Sequence, residues 1–232
     1  MAPYDSIASE YYDDFHITCR NFDQTTIFAL RSIKSRVPQT GLVLDAGAGR
    51  GRCKEFLDIG ENRIVQLDSS PIMLQLQPRE GSLIRIIHSA ESLPFTDNSF
   101  TCITAFLCDA FIGLNFLAEA FRVLKEGGVL IGTIPSFEWG FALRQELSID
   151  LFQTRFITKS GKVVTLPSIL VQDSQLIDML KVAGFHGENM QVTKHRLPQN
   201  VAQISEDIKT PAKNLGSSVH DLDIVYLFFA GK

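Results

Sequence analysis

The run LVLDAGAGRGR at residues 42–52 decides the fold class, because an apolar, strand-like segment leads directly into Gly47, Gly49 and Gly51. Glycine lets the backbone approach a ligand without obstruction by a side chain. A glycine loop between a strand and a helix is typical of ligand-binding α/β units. The segment therefore predicts an α/β domain with a ligand at the end of its first strand.

Several kinds of ligand could use such a loop. The phosphate-binding motif GxxxxGK[ST] is absent. A dinucleotide loop of the GxGxxG type, as in an NAD-dependent oxidoreductase, is disfavoured because its third glycine would fall at Arg52. Asp45 lies two residues before Gly47, and its negative charge argues against a pyrophosphate ligand and favours a cationic one.

A second acid, Asp68, ends the next apolar run, VQLD at residues 65–68. A carboxylate at this place accepts hydrogen bonds from two vicinal hydroxyls of a ribose. The structural alternatives are a helix cap for Asp68 and a turn for Asp45. The two acids and the glycine loop together favour a ligand that combines a cation with a ribose.

Apolar β-rich runs alternate with amphipathic segments between residues 41 and 133, which predicts βαβ units and a parallel sheet. The predicted strands are residues 42–46, 63–67, 83–87, 100–106 and 128–133. Ser70 and Pro71 predict a helix start, by a capping hydroxyl and a first-turn proline. Two more helices are predicted, one over residues 116–124 that Gly127 and Gly128 stop, and one whose apolar stripe is Ile27, Leu30, Ile33 and Val37.

The alternation breaks after residue 133. The segment TRFITKSGKVVTLP, residues 154–167, predicts a hairpin about Ser160 and Gly161, and we interpret residues 135–171 as an inserted substrate cap. A helix ending at Gly184, a strand over 190–193 and a last strand over 224–230 follow, with a polar, irregular stretch at 197–223. One domain is predicted, with residues 1–134 as the ligand-binding half and 172–232 as the C-terminal part.

Composition narrows the functional class. The 232 residues carry a net charge of -4, with 45% hydrophobic and 21% charged residues, as in an ordinary soluble domain. No Lys/Arg cluster suggests a nucleic acid, and no apolar run approaches the roughly 20 residues of a membrane span. The four cysteines lack metal-ligand spacing, so we expect free thiols, no metal and a cytoplasmic protein, monomeric or homodimeric.

An ordered set of segments resembles a known family. YDSIASEYYDDF (4–15), VLDAGAGRGR (43–52), VQLDSSPIML (65–74), SAESLPFTDNSF (89–100) and EAFRVLKEGGVLIGTIPS (119–136) are similar to the class I S-adenosylmethionine (SAM) dependent methyltransferases, in particular those like the ubiquinone and menaquinone biosynthesis enzymes. LIDMLKVAGF (176–185) is a weaker echo. The resemblance implies a Rossmann-like, mostly parallel α/β sheet of seven strands with an antiparallel last strand, helices on both faces and SAM as cofactor.

The resemblance also assigns roles within the SAM site. Asp45, Gly47 and Gly49 would hold the methionine end, and Asp68 the ribose hydroxyls. The remaining predicted cofactor contacts lie in four other segments. Ser69 with Ile72 or Met73 would lie beside the adenine, and Ser89, Ala90 and Glu91 form the third motif. Leu107 and Cys108 would line the methyl donor, and Tyr11 or Tyr12 would close over the donor. In the third motif Ser89 replaces the family's usual acid, so the usual contact to the adenine amine is not expected from this position, and the Ala90 backbone would supply part of it.

Methyl transfer from a sulfonium needs mainly in-line positioning, and a hydroxyl acceptor additionally benefits from a general base. The candidate bases are His16, His186, His195, Asp109 and Glu138. We favour His195, which follows the sixth strand on the side of the cap, and then Asp109, which follows the fourth strand.

The acceptor is predicted to be a small molecule, because FLCDAF at residues 106–111 stands where many nucleic-acid methyltransferases carry [DN]PPY. The cap is rich in aromatic residues, with Trp139 and Phe141 as the leading candidates to contact an aromatic or lipid-like acceptor. Packing of the cap alone is the competing interpretation. A non-catalytic methyltransferase fold that serves binding or assembly is the alternative function, and Ser89 is the feature that favours it.

Overall fold

The computed structural model describes residues 2–11, 13–77, 84–187 and 189–232. The strands are β1 (Val43–Ala46), β2 (Ile64–Asp68), β3 (Ile84–Ile87), β4 (Phe100–Ala105), β5 (Leu124–Pro135), β6 (Gln153–Ile157), β7 (Val163–Pro167), β8 (Gln191–Arg196) and β9 (Asp223–Gly231). The helices are α1 (Ile17–Leu30), α2 (Cys53–Leu57), α3 (Pro71–Gln75), α4 (Leu114–Val123), α5 (Phe137–Leu147), α6 (Asp173–Ala183) and α7 (Glu206–Asn214).

Seven strands form one sheet in the order β3-β2-β1-β4-β5-β9-β8. The first five are parallel, and β9 lies antiparallel between β5 and β8. The chain reverses its direction of strand addition between β1 and β4, and ligands of such sheets bind in the crevice at that point. The predicted Rossmann-like sheet with an antiparallel last strand is confirmed.

Helices cover both faces of the sheet. On one face α4 and α6 bury Phe116, Leu117 and Leu180 against β4 and β5. On the other face α1 and α2 bury Leu30 and Phe56 in a second cluster with β1. A parallel strand buried on both sides reads as a continuous apolar run, which is why the central strands were visible in the sequence.

The segment at 135–171 forms α5 and a separate two-stranded hairpin, β6 paired antiparallel with β7. The hairpin prediction is confirmed, and Phe156 and Leu166 pack on Ile7 of the N-terminal segment. The hairpin and the N-terminal segment are therefore held together.

Ser136 is the N-cap of α5, and its hydroxyl accepts a hydrogen bond from the Trp139 backbone N–H at 3.2 Å.

An ionic clasp adds to the contact between the hairpin and the N-terminal segment. Lys159, at the hairpin turn, forms an ion pair with Asp13 at 2.5 Å. Its backbone N–H donates to the Glu10 carboxylate at 2.6 Å. The exposed setting makes each bond weak, but the two fix the turn against one short segment.

Three predicted elements differ in the structure. Helix α1 ends at Leu30 and buries Phe22, Thr25, Thr26, Ala29 and Leu30, so Ile33 and Val37 are buried beyond its end rather than along one stripe. Helix α4 ends at Val123, and Gly127 and Gly128 lie inside β5.

The third difference is α7, which lies in the stretch predicted to be irregular. Its composition is polar and it contains Pro211, a poor signal for a helix. Ile208 and Ala212 are nevertheless buried against Trp139 and Leu143, so tertiary packing stabilises this helix.

In the described parts of the chain no helix has the length and apolar character needed to cross a membrane. Within those same parts no group of three His, Cys, Asp or Glu side chains is arranged to hold a metal ion. The four cysteines are free thiols.

Candidate active site

A cavity of about 260 Å³ lies at the carboxyl ends of β1, β2 and β4. The loop of Gly47, Ala48 and Gly49 forms part of its wall, and we refer to it as the glycine-loop cavity. It occupies the crevice where the order of strand addition reverses, as the topology predicts.

Asp45 lies at the end of β1 and is 3% exposed. Its Oδ1 accepts a hydrogen bond from the Thr104 hydroxyl at 2.9 Å. Its Oδ2 is buried and has no hydrogen-bond partner in the described structure. Burial raises the pKa of Asp45 to about 7, against the Thr104 hydrogen bond and with help from the charge of Asp68. An uncompensated buried carboxylate is costly, and a cationic ligand would relieve that cost.

The glycine loop follows at once. Gly47 has φ +68° and Gly49 φ +52°, which lie in the left-handed region that side chains disfavour. A Cβ on Gly47 would lie 2.6 Å from Cε1 of Phe111, so the loop leaves no space for one. The backbone N–H of Gly49 donates to Oδ2 of Asp68 at 2.8 Å, which ties the loop to the end of β2.

Asp68 uses its other oxygen locally as well. Oδ1 accepts from the Ser70 backbone N–H at 2.7 Å, and the Ser70 hydroxyl in turn accepts from the Met73 backbone N–H at 3.1 Å. Burial raises the pKa of Asp68, and the two backbone hydrogen bonds oppose that rise. Ser70, and not Asp68, therefore caps α3. Asp68 instead joins the glycine loop to the cavity wall.

Most of the residues predicted to contact a cofactor meet at this cavity. The wall includes Tyr11, Asp45, Gly47, Gly49, Asp68, Ser69, Met73, Ser89, Ala90, Glu91 and Leu107. Cys108 does not line it, because its side chain is buried in the core below the sheet edge and is 2% exposed. Tyr12 lies outside the described residues.

Sequence reasoning missed an ion pair on the same wall. Arg52 lies 3.5 Å from Asp23 of α1 and 3.2 Å from Glu55. Burial raises the pKa of Asp23 to about 6, although the charge of Arg52 lowers it. Asp23 gave no sequence signal, since a lone acid on a helix is usually a surface residue.

A second cavity, of about 470 Å³, lies beside the first. We refer to it as the hairpin cavity, because β6 and β7 supply part of its wall. It is lined by Tyr4, Tyr11, Phe15, His16, Ile17, Thr18, Cys19, Phe22, Leu107, Asp109, Pro135, Trp139, Leu143, Leu147, Thr154, Arg155, Phe156, Ile157, Leu166, Ser168, Ser205, Glu206 and Asp207. Tyr4, Tyr11, Cys19 and Leu107 line both cavities.

Leu107 is strained at the point where the cavities meet. Its φ is +51°, an uncommon value for a bulky side chain. Its backbone N–H donates to the Thr133 hydroxyl at 3.0 Å, and the next N–H, of Cys108, donates to the Thr133 carbonyl at 3.1 Å. Local strain of this kind concentrates at functional sites, where surrounding contacts hold it in place.

Asp109 and Trp139 line the hairpin cavity, as the sequence predicted for an acceptor site. Asp109 accepts a hydrogen bond from the Ser168 hydroxyl at 2.5 Å, and burial raises its pKa to about 6. Trp139 packs edge-on against Phe22, with ring centroids 4.7 Å apart.

Other predicted acceptor-side residues lie elsewhere. His195 is on β8, the edge strand, where its Nε2 meets the Thr193 hydroxyl at 2.8 Å, and it lines neither cavity. Phe141 is 39% exposed and stacks on Phe137, also outside both cavities. Glu138 accepts from Tyr226 and Lys194, outside both cavities too, and His186 is exposed. Of the two bases favoured from the sequence, Asp109 lines a cavity and His195 lines neither.

A family model described as a methyltransferase domain matches residues 44–132, from β1 into β5. This stretch is similar to methyltransferase domains. The domain match includes the glycine loop and Asp68 and stops short of the hairpin. The predicted resemblance to the class I SAM-dependent methyltransferases, whose methyl donor is S-adenosylmethionine, is confirmed.

Curated relatives resemble the methyltransferase domain and its surroundings. The chain is 35% identical over 96 residues to the uncharacterized methyltransferase YodH of Bacillus subtilis, covering 39% of this chain and 41% of that one. It is 31% identical over 142 residues to the ubiquinone/menaquinone biosynthesis C-methyltransferase UbiE of Blochmanniella floridana, covering 54% of each. The match thus spans about half the length of these relatives or less.

A solved structure is similar over the whole chain. It is the Haloferax volcanii protein described as a methyltransferase in complex with the Trm112 methyltransferase activator, at 17% identity and a TM-score of 0.71. The likeness covers 100% of this chain and 98% of that one. At this identity it shows the fold, which therefore extends beyond the methyltransferase domain to the C-terminal strands.

Proposed function

We propose that the chain transfers a methyl group from SAM, held in the glycine-loop cavity, to a small molecule held in the hairpin cavity. The observation that carries this proposal is the shared wall of Tyr4, Tyr11, Cys19 and Leu107. Because the same four residues line both cavities, the cavities adjoin, and a donor and an acceptor held in them would lie side by side. Alignment of the two at near-attack distance is the main requirement of the reaction.

The glycine-loop cavity fits SAM in charge and shape. The unpartnered Oδ2 of Asp45 suits the ammonium group, and Asp68 at the end of β2 suits the ribose hydroxyls. Ser69 and Met73 would flank the adenine, with the Ala90 backbone at its edge. Arg52 is a cation on the same wall and suits the carboxylate.

When bound, SAM supplies a methyl group already activated by a positively charged sulfur. The cavity wall carries Asp23, Asp45, Asp68 and Glu91 against Arg52, a surplus of acids. That surplus favours the cationic donor over the neutral thioether that remains after transfer. The wall charge thus supports both donor binding and product release.

The hairpin cavity fits a mostly apolar acceptor. Phe22, Trp139 and Phe156 supply aromatic walls, and the volume of about 470 Å³ lies in the usual range for small-molecule sites. Trp139, Phe156, Leu166 and Ser168 all belong to residues 135–171, so we propose that this segment is the acceptor cap. We keep the expectation of an aromatic or lipid-like acceptor and of a monomer or homodimer in the cytoplasm.

Calorimetry with SAM, followed by turnover of labelled SAM against phenols, carboxylic acids, amines and quinone precursors, tests the proposal. We expect SAM binding and methylation of at least one small-molecule class. Absence of SAM binding by the folded protein would contradict the proposal. SAM binding without turnover of any class would favour the alternative of a non-catalytic binding or assembly protein.

A further inference from the structure

We propose that Asp109 removes the proton from an aromatic hydroxyl acceptor, and that Ser168 and Arg144 are positioning residues that hold Asp109 ready for it. The inference rests on the proposed function and deepens it, since it names the acceptor class and the group that activates the acceptor. Three parts of the fold meet here: the loop after β4, the end of β7 and helix α5.

A chain of buried hydrogen bonds connects the three side chains. The Ser168 hydroxyl donates to Oδ2 of Asp109 at 2.5 Å and accepts from Nη2 of Arg144 at 2.7 Å. Asp109 is 8% exposed and Arg144 only 2%. The backbone also joins the two segments, because the Ile169 N–H donates to the Asp109 carbonyl at 2.8 Å. The orientation of the Asp109 carboxylate is therefore fixed from one side.

Arg144 is itself held in place. Nη1 donates to the Gly140 carbonyl at 3.1 Å, and Nη2 also reaches the Ser168 carbonyl at 3.3 Å. A Cβ on Gly140 would lie 2.4 Å from Leu170 and 3.1 Å from Nη1 of Arg144, so the glycine makes room for the guanidinium. A buried arginine is rare unless its charge and donors are used.

The other oxygen of Asp109 is available to a ligand. The hydrogen bond from Ser168 reaches Oδ2, and apart from it the donor to the carboxylate is the backbone N–H of Asp109 itself, so that no other described side chain occupies Oδ1. Asp109 lines the hairpin cavity two residues after Leu107, which lines both cavities. A carboxylate with one anchored oxygen and one open oxygen is suited to accept a proton in a defined direction.

The charge environment suits a base. Burial raises the pKa of Asp109 to about 6, while the Ser168 hydrogen bond, the backbone N–H of Asp109 and, least of the three, the charge of Arg144 oppose that rise. Its ionised form therefore dominates at neutral pH and is a stronger base than an ordinary aspartate. Asp150 also acts on Arg144, and the neighbouring Cys108 thiol stays neutral because burial raises its pKa.

The remaining ionisable groups on the cavity wall are Tyr4, Tyr11, His16, Cys19, Arg155, Glu206 and Asp207. His16 is the rival base, since its Nε2 has no partner among the described residues and burial lowers its pKa. Its ring lies 4.1 Å from that of Phe156, which suits a wall residue. Asp207 accepts from the Thr18 hydroxyl at 3.0 Å and lies 3.9 Å from Arg155.

An aromatic hydroxyl matches this arrangement best. Planar rings stack on aromatic walls such as Tyr11, Phe22 and Trp139. A phenol must lose its proton to become a strong nucleophile, whereas a neutral amine attacks with its lone pair and gains nothing from a base beforehand. In the reaction the hydroxyl proton moves to Oδ1 of Asp109, the oxygen bonds to the methyl carbon, and the carbon–sulfur bond breaks to leave a neutral thioether.

The first experiment measures the pKa of Asp109 by ¹³C NMR, with Asp109→Asn used to assign the signal. We expect Ser168→Ala to raise that pKa by about one unit, because the carboxylate loses a donor. Ser168→Thr, which keeps a hydroxyl, should restore it. Ser136→Ala is the matched control, since it removes the α5 cap and lowers the melting temperature without touching Asp109.

The second experiment measures kcat/KM against pH with phenols of increasing ring number and with their amine counterparts. We expect turnover of phenols, an acid limb near pH 6 that moves up by about one unit in Ser168→Ala, and a loss of about a hundredfold or more in Asp109→Asn. His16→Gln should leave the limb in place.

The inference is overturned if the pKa and the limb stay unchanged in Ser168→Ala, if Asp109→Asn keeps its rate, or if the limb disappears in His16→Gln. Turnover of amines alone also overturns it, while the proposed function stands. Failure of the folded protein to bind SAM contradicts the proposed function instead.

Discussion

The two cavities differ in how the chain builds them. The glycine-loop cavity is assembled from short segments that each follow a strand of the parallel sheet, at residues 45–49, 68–69 and 89–91. The hairpin cavity draws its wall from the N-terminal segment, α1, α5, the hairpin and the start of α7, which are far apart in sequence. The first is fixed by local order along a regular fold, and the second by tertiary packing. We therefore expect mutations in the glycine-loop cavity to change SAM affinity, and mutations in the hairpin cavity to change turnover.

The largest loss of SAM affinity is expected for Gly47→Val. The new side chain would meet Phe111 and would force a bulky residue to keep φ +68°. We expect no measurable SAM binding by calorimetry, a loss of more than a hundredfold. Gly127→Val is the matched control, since its φ is +74° and its Cβ would meet nothing within 4 Å. Equal loss in both variants would mean that backbone strain alone is responsible.

Asp68→Asn should weaken SAM binding by about tenfold to a hundredfold, because a charged acceptor of ligand hydroxyls is lost. The amide retains the size of the carboxylate and can still accept from the Gly49 or Ser70 N–H, which limits damage to the loop. Titration calorimetry measures the change, with Asp58→Asn, an exposed acid, as control. Unchanged affinity in a variant with a wild-type circular dichroism spectrum would exclude Asp68 from the donor site.

SAM affinity should fall as the pH falls below about 7, because protonation of Asp45 removes the charge that binds the ammonium group. Below the pKa the expected loss approaches tenfold per pH unit, and Asp45→Asn should show a flatter profile. Because the pKa of Asp45 is raised in the folded state, the folded protein without ligand holds a proton there that the unfolded chain has lost. The free energy of unfolding should therefore decrease as the pH rises from about 4 to about 7. A stability that increases over that range in proportion to Asp45 ionisation would contradict the assignment.

The smallest effect on SAM affinity is expected for Trp139→Phe, which should instead reduce turnover several-fold. The variant removes part of the hairpin cavity wall and the hydrogen bond from Nε1 to the Asp207 carbonyl at 2.8 Å. Phe141→Ala is its control, because Phe141 lies outside both cavities. A loss of SAM affinity comparable to the loss of turnover would show that the cap belongs to the donor site.

The same difference decides what the sequence could predict. Asp45, Gly47 and Asp68 follow buried strands whose apolar runs are unambiguous, so their meeting at one sheet edge follows from parallel topology. The position of Asp109 at the same sheet edge could be predicted for the same reason, since it follows β4. His195 lies within β8, which is at the far edge of the sheet, four strands from β1. Strand order is not readable from a single strand's pattern, so the sequence could not place His195 away from the site.

The acceptor side lacked such signals. Arg144 and Ser168 gain their roles only through contact with Asp109 across the fold. Helix α7 could not be predicted from the sequence, because it is stabilised by the packing of Ile208 and Ala212 on α5 and its own composition is polar. Asp23 likewise meets Arg52 only because α1 crosses the start of α2.

The shared wall of Tyr4, Tyr11, Cys19 and Leu107 has a thermodynamic consequence. A ligand in either cavity restricts the same side chains, so the second ligand has less disorder left to remove. The two ligands should therefore bind cooperatively. Because a coupling free energy is reciprocal, whatever the donor adds to the affinity for the acceptor, the acceptor adds to the affinity for the donor.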